Sequence, residues 1–419
     1  MKFEAILADD ITGAGDSSVH FAASGKRTAV LFDPTALGEA LRTHTTVSIS
    51  SESRFLAPAD AAAAVRKTAR QCRENNTRVV FKKVDSTLRG NPGAEIEALL
   101  DETGYAAAVV CPAMPKTGRV CRDGVILLHG TPLHETETGR DPFNPVLGAS
   151  IAEILAAQTS VPICNIHLDR VRAGADALRS TVAELVAKGK RIIIADAASD
   201  DDLAALGEML RNFRAAKDSP HPSLLPAGAG GLAEAFTGGP VPYTGPEPRG
   251  RMVAVVGSLT SVSQAQIQCA AESGNFFMLE LDMERAFQNA AEEIARLVAE
   301  APHSGKRHLL LKNRTLPQSS KSGGISTDNA VRAAEIFGAA ARAICQAHDC
   351  AMLYVTGGST AVSVAGALGL RYHTIERECS PGVVLSSCVC PGMKLRWFVS
   401  KSGGFGAPDV IARLATGML

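Results

Sequence analysis

The feature that most restricts the fold of this chain is an alternation. Short apolar runs, among them "EAILAD" (Glu4–Asp9), "RTAVLF" (Arg27–Phe32), "TTVSIS" (Thr45–Ser50), "RVVFKKV" (Arg78–Val84), "AAAVVCP" (Ala106–Pro112) and "RIIIAD" (Arg191–Asp196), are separated by Ala-rich stretches of helical period such as Pro58–Asn75 and Gly93–Thr103. That order predicts α/β layering, with strands buried between helices. The same grammar resumes after residue 250 in "RMVAVVGS", "HLLLKN", "MLYVTGG" and "KLRWFVSKS". Between the two sets lies "FTGGPVPYTGPEPRGR" (Phe236–Arg251), with four Gly and four Pro in sixteen residues. It can continue neither a helix nor a central strand, and it reads as a linker. The expectation is two α/β domains, residues 1–237 and 251–419, with a ligand cleft between them and loops at strand ends supplying the chemistry.

Composition excludes several classes. With 43 Lys+Arg against 43 Asp+Glu the formal net charge is zero, so the electrostatic footprint of nucleic-acid or membrane-surface binding is missing. An acidic pair, Asp9–Asp10, interrupts the place where a signal peptide would stay apolar. No apolar run approaches the ~18 residues of a spanning helix. Ten cysteines are scattered without metal-ligand spacing, the closest being Cys388 and Cys390 in a strand-like run. They read as buried thiols, and the expected location is cytoplasmic.

The chemistry-bearing residues gather at strand ends. In "LADDITGAGDSSVHF", Asp9 and Asp10 follow a strand, Gly13 and Gly15 permit close turns, and a helix is expected from about Asp16. Such acids can hold Mg²⁺, bind hydroxyls or accept a proton, or they can simply cap the helix. Adjacent aspartates point in different directions, so both need not serve the site. "SSESR" places Arg54 after the next run, a planar fork suited to carboxylate or phosphate, although a lone Arg is more often solvated. "VFKKVDSTLRGN" crowds Lys82, Lys83, Asp85, Ser86, Thr87, Arg89 and Asn91 beside an apolar strand. Alternation sends the two lysines to opposite faces, and Asp85 is the best-placed carboxylate. Glu95 and Glu97 fit the first turns of the following helix. A Pro- and Gly-rich stretch with His129, His134, Glu135, Arg140 and Asp141 follows; lacking an i, i+4 histidine pair, it is expected to be a long ordered loop or an arm rather than a metal site. After residue 250, three Gly/Ser loops each follow a strand: "VVGSLTSVSQAQI" (Val255–Ile267), "YVTGGSTAVSVAGALG" (Tyr354–Gly369) and "VSKSGGFGAP" (Val399–Pro408). None is a P-loop or a Rossmann fingerprint. Together they suggest a nucleotide-phosphate cradle of backbone N–H groups and helix N-termini.

Taken in order, "ADDITGAGD", "SSESR", "KKVDSTLRGNPGAE", "PAMPKTGR", "DGVILLHGTPLHETE", "TGGSTA" and "KSGGFG" resemble the four-carbon acid sugar kinases, formerly the DUF1537 family, along essentially the whole chain. The resemblance implies an N-terminal domain that binds a sugar acid and a C-terminal domain that binds ATP, with Mg²⁺ as companion. It implies phosphorylation of the 4-hydroxyl. Carried over by motif, Asp9, Asp10, Arg54, Lys82, Lys83, Val84 and Asp85 would meet the substrate. Ser258, Gly357, Gly358, Ser359, Thr360, Gly403 and Gly404 would meet the nucleotide. Asp85 is the first candidate for the catalytic carboxylate and Asp10 the second; no motif names metal ligands. "VDSTLRGNPG" is more similar to the D-threonate and D-erythronate branch than to the 3-oxo-tetronate branch, and D-threonate is the expected substrate. The partners implied are a small sugar acid and ATP, without nucleic acid or membrane; a homo-oligomer is compatible with this. The rival reading is a non-catalytic protein that responds to nucleotide or sugar acid.

Overall fold

Val, Ile, Leu and Ala fill the short runs because their strands are covered on both sides, as expected of a parallel sheet. In the computed structural model, which describes residues 2–140, 146, 148–215, 223–301, 308–314 and 327–417, the chain divides into two units, Met1–Pro242 and Tyr243–Leu419.

The first unit contains β1 (Phe3–Ala8), β2 (Thr28–Leu31), β3 (Thr46–Ser50), β4 (Thr77–Lys83), β5 (Ala107–Cys111), β6 (Arg119–Arg122), β7 (Val125–Leu128), β8 (Thr131–Pro132), β9 (Ile163–Ile166), β10 (Ile192–Ala195) and β11 (Leu224–Gly228). Eight of these form a parallel sheet in the order β2-β3-β1-β4-β11-β5-β10-β9. The chain leaves β1 toward the β2–β3 side and leaves β4 toward the β5 side, so the crossovers diverge between β1 and β4. Right-handed crossovers running in opposite directions put their helices on opposite faces. Accordingly the helix after β1, Ile11–Ala23, packs with Gly230–Thr237, while the helix after β4, Pro92–Thr103, packs with Pro58–Glu74. Such a switch point leaves a crevice at the carboxyl ends of its strands.

Three expectations are corrected here. The first helix begins at Ile11, not near Asp16, because Asp10 caps it by accepting the Gly13 N–H at 2.8 Å. Gly13 therefore lies inside the helix, where its missing side chain lets the Asp10 carboxylate approach: a Cβ there would stand 2.7 Å from Oδ1. The stretch expected as a long loop is instead a small antiparallel sheet, β6-β7-β8. His129 lies in its β7–β8 turn, His134 and Glu135 in the short helical turn Leu133–Glu135 that follows β8, and Arg140 is an exposed residue beyond it; Asp141 lies outside the described residues. β11 was not expected, since "LLPAG" carries a proline. It is tolerated centrally because pairing with β4 is confined to Ala227 and Gly228, past Pro226.

The second unit contains β12 (Met252–Val256), β13 (Phe276–Leu281), β14 (His308–Asn313), β15 (Met352–Thr356), β16 (Tyr372–Ser380), β17 (Val383–Ser387) and β18 (Trp397–Lys401), in the order β13-β14-β12-β15-β18-β17-β16. β13 through β18 pair in parallel, and β17 and β16 close the series antiparallel. Cys388 and Cys390 fall just beyond β17 rather than inside a strand, and both are buried free thiols. Among the described residues no helix is long and apolar enough to cross a membrane.

Candidate active site

The carboxyl ends of β1, β3 and β4 bring together the charged residues of three separate motifs. Contrary to the expectation of divergence, Asp9 and Asp10 converge on one guanidinium. Arg54 donates from Nε and Nη2 to Asp9 at 2.7 and 3.0 Å, and from Nη1 and Nη2 to Asp10 at 2.7 and 2.8 Å. The β4 lysines do face opposite ways. Lys82 reaches Glu95 of the Pro92–Thr103 helix at 2.7 Å, and Lys83 reaches Asp16 of the Ile11–Ala23 helix at 3.3 Å. Lys82 is 0% and Glu95 1% exposed, so this pair lies beneath the site surface. Val84 is buried as well and contributes backbone: its N–H donates to Gly228 and its carbonyl accepts from Lys83.

Asp85 anchors the turn that follows. It accepts Arg89 Nε at 2.8 Å and Nη2 at 2.9 Å, the Thr87 hydroxyl and the backbone N–H groups of Thr87 and Arg89, and lies 3.9 Å from Arg54 Nη2. Asn91 ties the turn to the Arg54 loop by donating to the carbonyls of Ser53 and Leu56. Ser53 in turn donates to Glu95 at 2.6 Å. Sequence reasoning did not assign Asp16 and Glu95 as counter-ions; the available signal was an acid in the early turns of the helix after each charged loop.

Burial by itself would raise every one of these carboxyls. For Asp85 the guanidinium of Arg89, helped by Arg54 and Lys83, overrides burial and holds the group well below the usual carboxylate range. Asp9 is likewise lowered, burial being outweighed by Arg54 and Lys82. Glu95 goes the other way: burial dominates, and Lys82 only partly offsets it. With Asp9 and Asp85 held ionised, the arrangement is a pre-oriented set of acceptors suited to sugar hydroxyls, laced with cations.

In the second unit the three Gly/Ser loops meet. Thr260, which caps the helix Ser261–Glu272, donates to the carbonyl of Gly403 at 2.9 Å, and Ser258 lies 3.2 Å from Thr260. Gly257 packs against the Thr360 side chain, leaving no room for one of its own. Gly357 donates to the Lys401 carbonyl at 3.1 Å and precedes the helix Gly358–Leu368 with φ of 103°, a conformation that favours glycine. No side chain caps that helix, so its first N–H groups at Gly358, Ser359 and Thr360 are available to an anion. Gly403 faces Ser258 and Thr260, and Gly404 follows it in the turn after β18. The loops thus bring together Ser258, Gly357, Gly358, Ser359, Thr360, Gly403 and Gly404.

Residues 5–236 match a family model described as the sugar-binding N-terminal domain, and residues 253–411 one described as the nucleotide-binding C-terminal domain. A D-threonate kinase of Salmonella typhimurium is 32% identical over 420 residues, spanning 97% of this chain and 96% of that protein. The chain belongs to the four-carbon acid sugar kinase family. Within this family it is also similar to a D-threonate kinase of Cupriavidus necator, 33% identical over 96% of this chain and 94% of the relative. A D-erythronate kinase of Heliobacterium modesticaldum is 30% identical over 96% and 94%. The fold of this family member is shared by a solved structure from Salmonella typhimurium, with a TM-score of 0.79 at 22% identity over 99% of this chain and 98% of the other.

Proposed function

We propose that this protein transfers the γ-phosphoryl group of ATP to the 4-hydroxyl of a four-carbon sugar acid, with D-threonate as substrate. The observation that carries the reading is a division of labour. Hydroxyl-accepting carboxylates cluster in the unit matched by the sugar-binding model, and unengaged N–H groups cluster in the unit matched by the nucleotide-binding model. Residues 1–237 then form the sugar-acid domain and 251–419 the nucleotide domain.

In this reading Asp9, Asp10 and Asp85 take the sugar hydroxyls, with Asp85, then Asp10, as the group that orients the attacking oxygen. Arg54 and Lys83 balance the substrate carboxylate, while Lys82, held by Glu95 beneath the site surface, supports it from below. Phosphoryl transfer asks chiefly for alignment and charge neutralisation. Mg²⁺ enters as the companion of the triphosphate. Among the described residues the one group of three His, Cys, Asp or Glu with metal-ligand spacing is Asp123, His167 and Asp196; Asp123 opens the "DGVILLHGTPLHETE" motif, and none of the three is among the residues assigned to the substrate or the nucleotide. The carboxylates of the first unit's loops are engaged by arginine, so no step is assigned to a metal held by the protein.

The test is ADP release across a panel of four-carbon aldonates, with the phosphorylated position assigned by NMR. D-threonate is expected to give the highest kcat/KM and a 4-phosphate. A preference for D-erythronate would move the assignment to the epimer, and nucleotide binding without turnover on any acid would favour the sensor reading. Gly358→Val places a branched side chain where a phosphate is expected to meet the backbone. It should weaken ATP binding at least roughly tenfold, the loss of one or more charge-assisted hydrogen bonds, and leave sugar-acid affinity intact. Calorimetry showing unchanged ATP affinity in the folded variant would remove this loop from the site.

A further inference from the structure

The turn after β18 is built inside out. Four of its carbonyls are engaged from within the protein: Gly403 by Lys401 Nζ at 3.0 Å, Thr260 at 2.9 Å and Ser263 at 3.3 Å; Phe405 by Lys401 Nζ at 2.9 Å and Gln266 at 3.0 Å; Gly406 and Ala407 by Gln266 at 3.0 and 3.1 Å. Of its N–H groups, that of Phe405 donates to the Ser402 carbonyl at 3.2 Å. Those of Gly403, Gly404 and Gly406 donate to nothing among the described residues. A turn whose carbonyls are held inward offers its amides outward, which is the arrangement of an anion-binding concavity.

Lys401 is the unusual member of this set. It is the last residue of β18 and is 1% exposed, and no carboxylate among the described residues lies within ion-pair distance of it. The elements around it set no charged group against its amine, and burial alone acts on it; Tyr354 of β15 is the titratable residue nearest in register, opposite Val399. The Ser261–Glu272 helix offers Gln266 and Ser263, β15 offers Thr356 as its register partner, and β17 offers Val383. Two polar atoms nearby have no partner among the described residues: Gln266 Oε1 and Thr356 Oγ1, both buried. A lysine almost never occupies such a place without a counter-charge.

We propose that Lys401 is a positioning residue for the nucleotide, its ammonium drawing the Gly403 and Phe405 carbonyls inward so that the turn's amides face the phosphates, while a bound phosphate supplies the negative charge that the lysine lacks. The proposal rests on the reading that this unit binds nucleotide. In the free protein, burial pulls the amine down to about 7. A phosphate across one layer of aligned peptide dipoles favours the charged form. Nucleotide binding above neutrality is therefore coupled to uptake of a proton.

Calorimetric titration of the full chain with Mg·ADP at pH 8, where the nucleotide phosphates are ionised, in two buffers of different ionisation enthalpy, reads that proton directly. The wild type is expected to take up a large fraction of one proton per nucleotide, with affinity weakening as pH rises from 7 to 9. Lys401→Gln keeps a donor for the carbonyls but no charge. It should abolish the uptake, flatten the pH dependence and weaken ADP roughly tenfold, while Lys401→Met should lose roughly a hundredfold, within the range of hydrogen bonds to charged groups. In turnover, KM for ATP should rise with KM for the sugar acid unchanged. Tight binding by the wild type with no proton uptake, or equal uptake by Lys401→Gln, overturns the proposal while leaving the kinase reading standing. Failure of the wild type to bind any nucleotide overturns both. Failure to turn over sugar acids with nucleotide binding intact removes the kinase reading alone, and the calorimetry still decides the role of Lys401.

Discussion

Asp85→Asn is expected to lower kcat by roughly 10²–10⁴-fold, the scale of a lost acid–base group, while nucleotide affinity stays near that of the wild type. Asp85 carries two duties. It closes the turn by accepting from Thr87 and Arg89, and it presents a carboxylate at the end of β4. Because Arg89 and Arg54 overcome the effect of burial and hold it well below the usual carboxylate range, it remains ionised throughout the working pH range. The wild-type rate should accordingly show no acidic limb from Asp85 above about pH 4, the ordinary carboxylate value. A carboxylate this acidic contributes orientation and negative charge more than proton storage. The same depression makes its stabilising effect fully present above about pH 4 and lost on acidification through its lower folded value. Asparagine leaves Arg89 without its ion pair, so the melting temperature should also fall; Arg89 is 28% exposed, which moderates that cost. Turnover and melting temperature measured on one preparation, well below the transition, separate the two duties. Near-normal kcat in the folded variant would pass the catalytic role to Asp10.

Lys82→Met should cost about 3–5 kcal/mol of stability, the cost of breaking a buried pair from one side. Methionine fills the space of the lysine stem but strands Glu95, whose remaining partner is the Ser53 hydroxyl. Glu95 already sits above the ordinary carboxylate range, and losing Lys82 pushes it higher. The folded state then holds a proton that the unfolded chain releases, so stability falls as pH rises through the interval between the two pKa values. The deficit should be smaller at pH 5 than at pH 8. Lys82→Met combined with Glu95→Gln should recover most of it, since a neutral amide can still accept from Ser53. Urea unfolding at both pH values tests this; a single variant within about 1 kcal/mol of the wild type would show that the pair contributes little net.

Much of this was legible beforehand, for a physical reason. Strands such as Ala107–Cys111 and Ile192–Ala195 are buried end to end and announce themselves as uninterrupted apolar runs. Harder to see were elements whose local chemistry argues against them. Leu224–Gly228 carries a proline that only its limited pairing with β4 excuses, and the Ile11–Ala23 helix takes Gly13 into its first turn because the Asp10 cap and the Lys83 side chain crowd that position. Least legible were the partnerships. That Arg54 would gather both Asp9 and Asp10, or that Lys82 would turn to Glu95 and Lys83 to Asp16, depends on which helix each crossover lays on which face. That is a property of strand order, and no single motif encodes it. The glycine loops of the second unit were recognisable as a group, but the lysine beneath them was not, because its meaning lies in the carbonyls it collects.

The reciprocal matching of charges around β1, β3 and β4 has a kinetic corollary. Arg54 is shared by Asp9 and Asp10, Lys83 faces Asp16, Lys82 faces Glu95 and Arg89 faces Asp85. Together with a chain of zero formal net charge, this leaves no surplus positive field to draw an anion in from solution. Capture of the sugar acid should therefore be slow by the standards of electrostatically steered encounters and nearly indifferent to added salt. In the proposed reading selection follows arrival: an acid has to compete with carboxylates already bound to the arginines, and a neutral polyol of the same size should have nothing to trade for that displacement.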